Sequence, residues 1–530
     1  MFHRIIESFV LSSEYKIYST ITKDFLHFTQ YLRFNTHFLT KPQKPHSMEN
    51  QKTKWSQFGT LITVFFFWGF VAASNDILIP VFKKAFDLTQ GQSQLVSVAF
   101  YVAYTVGSLI YSGISKSIGG DILSKIGYKN GISLGLIISA LGTLLFYPAA
   151  NLGSFTLMIS GLFIVGLGFS LQQIAANPLA IVMGDPKTGS QRLIMAGGVN
   201  NFGTTIGPLL VSYAIFGSVT SGNSTASIES VKIPYLCLGL AFVIAAVFFK
   251  YSNVPNQIDL DHVAEEEAQD NKKLLHKDSA FGYPQLVMGM IAIFVYVGVE
   301  VSTASNLPAY MEQKLAIDTK SIAPYISLYW ASLMIGRWTG AVGAFDVNAS
   351  TKQMLRFILP YAAFAVFLLV NTIANNNVSQ FYIYAIVIAV LIFADVMSKG
   401  NPAKMLLYFS VAGILALIIG IFTSGTVSLF AFISVGLFCS TLWPCIFTLA
   451  ITGLGKNTNQ GSSLLIMMIM GGGIISYIQG TVAADNILGI QYSYIVGVVC
   501  FAYMAFYAIK SKSILKTQGI DYDVKVSGGH

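Results

Sequence analysis

Residues 58–80 read FGTLITVFFFWGFVAASNDILIP. An α-helix rises 1.5 Å per residue, so about 20 apolar residues cross the roughly 30 Å hydrocarbon core of a bilayer. This stretch has that length and is apolar almost throughout, which makes it a spanning helix. Near its far end stands one carboxylate, Asp76, beside Asn75. A charge inside hydrocarbon is expensive and is retained either by a bond to a neighbouring helix or by function. Function would use the acid as a group that takes up a proton when shielded and releases it when wetted.

The same reading extends along the chain. Of 530 residues, 54% are hydrophobic and 11% charged, against about 25% charged in a soluble domain. Mean hydropathy is +0.63. Spans are expected at 58–80, 92–117, 129–150, 154–183, 194–216, 232–251, 285–310, 322–345, 355–373, 379–397, 403–423, 427–452, 462–484 and 490–510. These runs are continuous, without the alternation of a membrane β-barrel, so the fold class is an all-α polytopic membrane protein of about fourteen helices. The formal charge of +8 resides mainly in short loops beside spans, so topology accounts for it and nucleic acid is not implied. Cys237, Cys439, Cys445 and Cys500 fall in or beside apolar runs without metal-ligand spacing, and no histidine lies in a span. No cofactor is expected. A membrane-embedded enzyme is disfavoured by the lack of a Cys–His pair or metal cluster, and a membrane sensor by the lack of a soluble output domain.

With the N-terminus in the cytoplasm, most Lys and Arg fall in cytoplasmic loops, although Lys83, Lys84, Lys314 and Lys320 fall outside. That bias places both termini inside and suits an even number of spans. Residues 1–57 form a polar tail without a signal-peptide core, and Met48 is an alternative start within it. The expected organisation is then a first six-helix bundle at 58–251 and a cytoplasmic linker at 252–283. A second bundle follows at 284–510, and a tail at 511–530. Two echoes cross the linker. GDPKTGSQRLIMAGGVNNFG at 184–203 parallels GLGKNTNQGSSLLIMMIMGGG at 453–473, and DILSKIGYKNG at 121–131 parallels DVMSKGNPAK at 395–404. Related halves of this kind are the plan of many secondary transporters.

The stretches VAASNDILIPVFKKAFDLT, SLQQIAANPLAIVMGDPKTGSQRL, VNNFGTTIGP, IGRWTG and GSSLLIMMIMGGGII resemble the fucose–proton symporter family of the major facilitator superfamily, and more closely its glucose/galactose transporter branch. The resemblance runs from about residue 58 to 510. It implies two pseudo-symmetric six-helix bundles around a central sugar site with alternating access, in the inner or plasma membrane, working as a monomer. It further implies symport of a hexose or deoxyhexose with a cation, H+ or alternatively Na+, while an uncoupled facilitator stays open. This chain departs from the pattern in two extra spans across 355–397. It also carries Gln173 where the family symporter has a glutamate, Gly197 where it has a glutamine, and Glu300 where it has a glutamine.

Asp76 and Glu300 are therefore the candidate coupling acids, with a pairing of Glu300 to Arg337 as the structural alternative. Candidates for sugar contact are Asn75, Gln173, Asn177, Asn200 and Asn306, because amides both donate and accept hydrogen bonds. Tyr296 and Trp443 are candidates for stacking on a sugar's C–H face, as are Trp68 and Trp330. Gln172 and Gln173 are adjacent, so only one can squarely face a cavity. Arg337 is expected in a structural or gating salt bridge. Asp121 and Asp395, at the loop echoes, are expected to clamp and release as the bundles rock. The glycine clusters at 197–203 and 471–473 are expected to allow close helix packing.

Overall fold

The computed structural model describes residues 53–86, 90–185, 188–216, 231–258, 277–317 and 321–522; the side chains of 72–85, 90–97, 208–209 and 211–216 lie outside the description. Among the described residues the regular structure is entirely helical. Fourteen long helical segments follow one another. They are α1 (Trp55–Ala85), α2 (Gln90–Ser117), α3 (Tyr128–Asn151), α4 (Phe155–Val182), α5 (Gly189–Phe216), α6 (Lys232–Tyr251) and α7 (Pro284–Leu315). Next come α8 (Ala323–Gly340), α9 (Ala349–Ile373), α10 (Ser379–Ser398), α11 (Pro402–Phe422), α12 (Gly425–Ile451), α13 (Gly455–Val482) and α14 (Gly489–Thr517). Over the described residues alone, eleven are long and apolar enough to cross a membrane by length and composition; α1 and α5, each described only in part, and α8 are the other three. The last helix continues to Thr517, beyond the expected end at 510.

Local chemistry sets the boundaries. Ser154, Asn348 and Asn401 each accept a backbone N–H at the start of α4, α9 and α11, at 3.3, 2.8 and 3.0 Å. Pro284 and Pro402 stand in the first turn of α7 and α11, where a missing N–H costs nothing. Lys399 and Gly400 adopt φ of 52° and 74°, which turns the chain between α10 and α11. α12 and α13 are each interrupted near the middle. α12 breaks between Cys439 and Leu442, just before Pro444, whose ring cannot continue the ladder. α13 tightens into a 3-10 turn at Met468–Met470, just before Gly471–Gly473.

The packing order repeats. In the first half α1 packs on α5, α2 on α4, and α3 on α4 and α6; in the second, α7 packs on α13, α8 on α12, and α11 on α12 and α14. The second set reproduces the first when α9 and α10 are skipped. Those two helices pack on each other, and on α8 and α11 respectively, as a pair added to the second six-helix bundle. The most intimate contacts repeat as well. A Cβ on Gly69 would run into the backbone carbonyl of Asn200, and one on Gly203 into that of Phe66, so α1 and α5 touch backbone to backbone. In the second half a Cβ on Gly471 would run into the carbonyl of Phe294, which joins α7 to α13 in the same way. Both glycine clusters singled out in the sequence thus supply close-packing positions. The two halves meet where α5 lies on α8 and α12, and α13 lies on α2 and α4.

Candidate functional site

Glu300 sits in the middle of α7, half-buried, and its carboxylate accepts a 2.8 Å hydrogen bond from the Tyr296 hydroxyl one turn earlier. Tyr296 is buried, and its ring lies 6.2 Å from that of Trp443 at 53°. Trp443 is the residue before Pro444, beside the break in α12, so the interruption places an aromatic face next to the acid. Tyr329 of α8 donates to the backbone carbonyl of Glu300 at 2.7 Å. An acid, two tyrosines and a tryptophan from three helices thus form one cluster, which includes three of the residues singled out in the sequence.

In the first half the adjacent glutamines separate. Gln172 is fully buried; its Oε1 accepts from Trp68 Nε1 at 2.9 Å and its Nε2 donates to Ser139 Oγ at 3.0 Å. This uses both ends of the amide to join α1, α3 and α4, and it corrects the reading of Trp68 as a stacking surface, because the indole is buried and committed. Gln173 remains half-buried and donates to the Tyr104 hydroxyl at 3.1 Å. Asn177, one turn on, is 2% exposed and its Nδ2 has no partner. Asn200 donates to the Phe65 carbonyl at 3.0 Å, across the close α1–α5 contact. Asn306 donates to Ser302 O on its own helix at 2.8 Å. Asn75 and Asp76 stand on α1, and their side chains lie outside the described residues.

One residue brings the two halves of the site together. Tyr101 stands one turn before Tyr104 on α2 and reaches the α7–α13 contact, where a Cβ on Gly472 would lie 3.4 Å from its ring, 3.1 Å from Val297 and 3.2 Å from Val301. Val297 and Val301 flank Tyr296 and Glu300 in sequence. The Gln173–Tyr104 pair of one half and the Glu300–Tyr296 pair of the other therefore approach the same seam.

Among the described residues Arg337 forms no ion pair, and its donors go to other acceptors. Its Nε donates to Ser440 O at 2.9 Å, a carbonyl freed by the break in α12, and its Nη1 donates to Gly197 O at 3.1 Å and to Asn201 Oδ1. No ion pair joins it to Glu300 among the described residues. The guanidinium fork instead matches carbonyls from two helices of opposite halves. Gly197 permits this, since an added Cβ would lie 3.0 Å from Nη1.

Below the site the halves are latched at the end that carries Asp121. That carboxylate caps the short helix Ile122–Ile126 through Ser124 N at 2.7 Å and accepts the Tyr111 hydroxyl. It also accepts Asn459 Nδ2 of the opposite half at 2.8 Å, while Asn459 Oδ1 accepts the Tyr128 hydroxyl. Ser462 and Ser463 donate to Ile174 O and Ser108 O at 3.0 and 3.2 Å, and Gln191 donates to Gly400 O at 2.9 Å. These hydrogen bonds between the halves lie from this end to about the middle of the helices. Asp395 does not take part. It is 1% exposed on α10, and Arg356 Nε of α9 approaches its carboxylate at 3.4 Å. In this structure the cation beside Asp395 comes from the added helix pair, and the contact across the halves passes five residues on, to Gly400. Asn459, Tyr128 and Tyr104 were missed from the sequence, although Asn459 lies within the echo at 453–473.

The family model of the Major Facilitator Superfamily matches residues 58–398. The chain belongs to that superfamily. The Glucose/galactose transporter of Brucella abortus is 32% identical over 88% of this chain and 96% of its own length. The L-fucose-proton symporter of Escherichia coli is 27% identical over 85% and 92%. Among solved structures, the major facilitator transporter FucP in an outward conformation is 26% identical with a TM-score of 0.64, covering 86% of this chain and 98% of that one. Within the superfamily, then, the chain groups with sugar transporters, and it is a multi-pass membrane protein of the same fold.

Proposed function

We propose that this superfamily member imports a hexose or deoxyhexose, of glucose, galactose or fucose type, by symport with a cation, most readily H+. The carrying observation is the juxtaposition of Glu300–Tyr296–Trp443 with Gln173–Tyr104 at the seam between the halves, above a latch that closes one side. The sugar would lie on the Trp443 and Tyr296 rings and exchange hydrogen bonds with Gln173, Asn177 and the Glu300 carboxylate. Glu300, with Asp76 on α1, would carry the coupling charge. A carboxylate shielded by aromatic rings holds a proton, and the same carboxylate opened to water on the other side releases it.

The bundles at 58–251 and 284–510, joined by the linker at 252–283, would rock about this site. The Asp121 end faces the cytoplasm together with both termini, and the chain works as a monomer in the plasma membrane. The structure described here is then the state open to the outside. Relatives named for glucose/galactose and for fucose–proton transport support this reading.

Uptake by the purified chain in vesicles, with a sugar panel and with proton and Na+ gradients imposed separately, tests it. Accumulation under a proton gradient is expected. Accumulation only under a Na+ gradient would assign the other cation, and uptake that never exceeds equilibrium would defeat symport. Glu300→Gln is expected to abolish accumulation while leaving sugar exchange across the membrane; normal accumulation by that variant would remove Glu300 from the coupling role.

A further inference from the structure

The residues just before α1 reach across to the second half. Thr53 N donates to Asp346 Oδ2 at 3.2 Å, and the Thr53 hydroxyl donates to Ala344 O at 3.5 Å. Trp55 stacks on Phe345, with ring centroids 5.5 Å apart and planes at 14°. On its other side the same segment is fastened to its own half. Lys54 N donates to Met183 O at 3.3 Å, and a Cβ on Gly184 would lie 3.1 Å from Thr53 Cα. The segment therefore fills the gap between the end of α4 and the turn that follows α8. Thr53 is only 6% exposed, although it precedes the helix and stands at the end of the bundle.

We propose that residues 53–55 are a strap that locks the two halves together at the Asp121 end, as a second fastening beside the Asp121–Asn459 latch. That end is where α1 begins and where α2 and α8 finish. Asp121 follows α2, and Asp346 follows α8, which takes the corresponding place in the second half. Each acid accepts an N–H from the opposite half, Asp121 from the Asn459 side chain and Asp346 from the backbone of the strap. The fastenings lie on different flanks, one where α13 meets α2 and α4, the other where α5 meets α8. Parting the halves at this end must undo both. The tie to Met183 and the continuation into α1 keep the strap with the first half, so its contacts with Ala344, Phe345 and Asp346 are the ones that break. Those contacts suit release. Phe345 is half-buried and Asp346 exposed, so breaking them strands no buried charge. The lock belongs to the frame of the bundle and is independent of which sugar or cation is carried.

The test is cysteine labelling of the full chain in detergent. Ile194 of α5 reports opening on this flank, because it is fully buried and a Cβ on Gly340 of α8 would lie 3.2 Å from it. With Cys237 replaced by serine, Ile194→Cys should react slowly with a maleimide. Trp55→Ala should raise that rate about fivefold where opening is fast relative to labelling, the worth of one aromatic pair. Asp346→Ala, a change at an exposed side chain, should raise it as well. Trp55→Ala combined with Phe345→Ala should add little to Trp55→Ala alone, because the two rings form one contact. Lys54→Ala should leave the rate unchanged, since Lys54 is fastened by its backbone and within the first half. Melting temperatures close to the parent's show that the variants are folded. Labelling unaffected by both Trp55→Ala and Asp346→Ala would overturn the proposal, and so would an equal rise with Lys54→Ala.

Discussion

Asn459→Ala removes the latch between the halves without touching the sugar site. The amide of Asn459 makes two bonds to the opposite half, donating to the Asp121 carboxylate at 2.8 Å and accepting the Tyr128 hydroxyl. A hydrogen bond to a charged group contributes about 1.5–3 kcal/mol net and a neutral one about 0.5–1.5 kcal/mol. Both groups can turn to water when the halves part, so the lower ends of these ranges apply and sum to about 2 kcal/mol. That shifts the balance between latched and unlatched states by about 30-fold. Ser463 reports the shift, because it is fully buried under the latch, with its hydroxyl on Ser108 O at 3.2 Å. With the exposed Cys237 replaced by serine, Ser463→Cys should react slowly with a maleimide. Adding Asn459→Ala should raise the rate by about the same 30-fold if opening is fast relative to labelling. Asp121→Asn keeps the shape but removes the charge and should give a smaller rise. An unchanged labelling rate in a folded Asn459→Ala chain would show that these bonds do not hold the halves together, and the latch reading would fail.

Other expectations follow from the packing. Gly69→Ala or Gly471→Ala places a Cβ against a backbone carbonyl and should destabilise by about 1–3 kcal/mol in a melting assay. Gly473→Ala meets nothing within 4 Å and should be neutral. Arg356→Ala strands the buried Asp395 and should cost about 3–5 kcal/mol, whereas the double change Arg356→Leu with Asp395→Leu should recover most of that. Failure of the double variant to recover would mean that the pair does more than compensate charge. Arg337→Lys keeps the charge but loses the planar fork. It should lower the melting temperature and slow uptake, because the Ser440, Gly197 and Asn201 acceptors cannot all be reached by one ammonium.

Several residues of the candidate site stood out in the sequence. Glu300 stood out because an acid in the middle of an apolar run has few explanations, and Tyr296 lies on the same helix face one turn away. Asp121 was visible as a loop acid repeated across the linker. What Asp395, its apparent mate, meets was not legible, because the cation that approaches it comes from α9, one of the two added helices. Gln172 and Gln173 could not be told apart by spacing alone: which of them is buried depends on Trp68 and Ser139, on two other helices. Arg337 looked like half of an ion pair, since Pro444 signals that the Ser440 carbonyl loses its helical partner but not that a guanidinium from another helix will reach it.

The sequence by itself determined the membrane class, the number of helices and the two related halves. The reason is that hydrocarbon thickness and backbone hydrogen bonding act on each segment separately, and leave their mark in run length and loop charge. Only the tertiary structure decided which polar groups are committed to packing and which remain to meet a substrate. Each polar group in a bundle is satisfied by whatever neighbour the helix crossings bring within about 3 Å. Asn459 with Asp121, Arg337 with Ser440 and Gln173 with Tyr104 join residues that are 338, 103 and 69 positions apart. No local pattern encodes such distances.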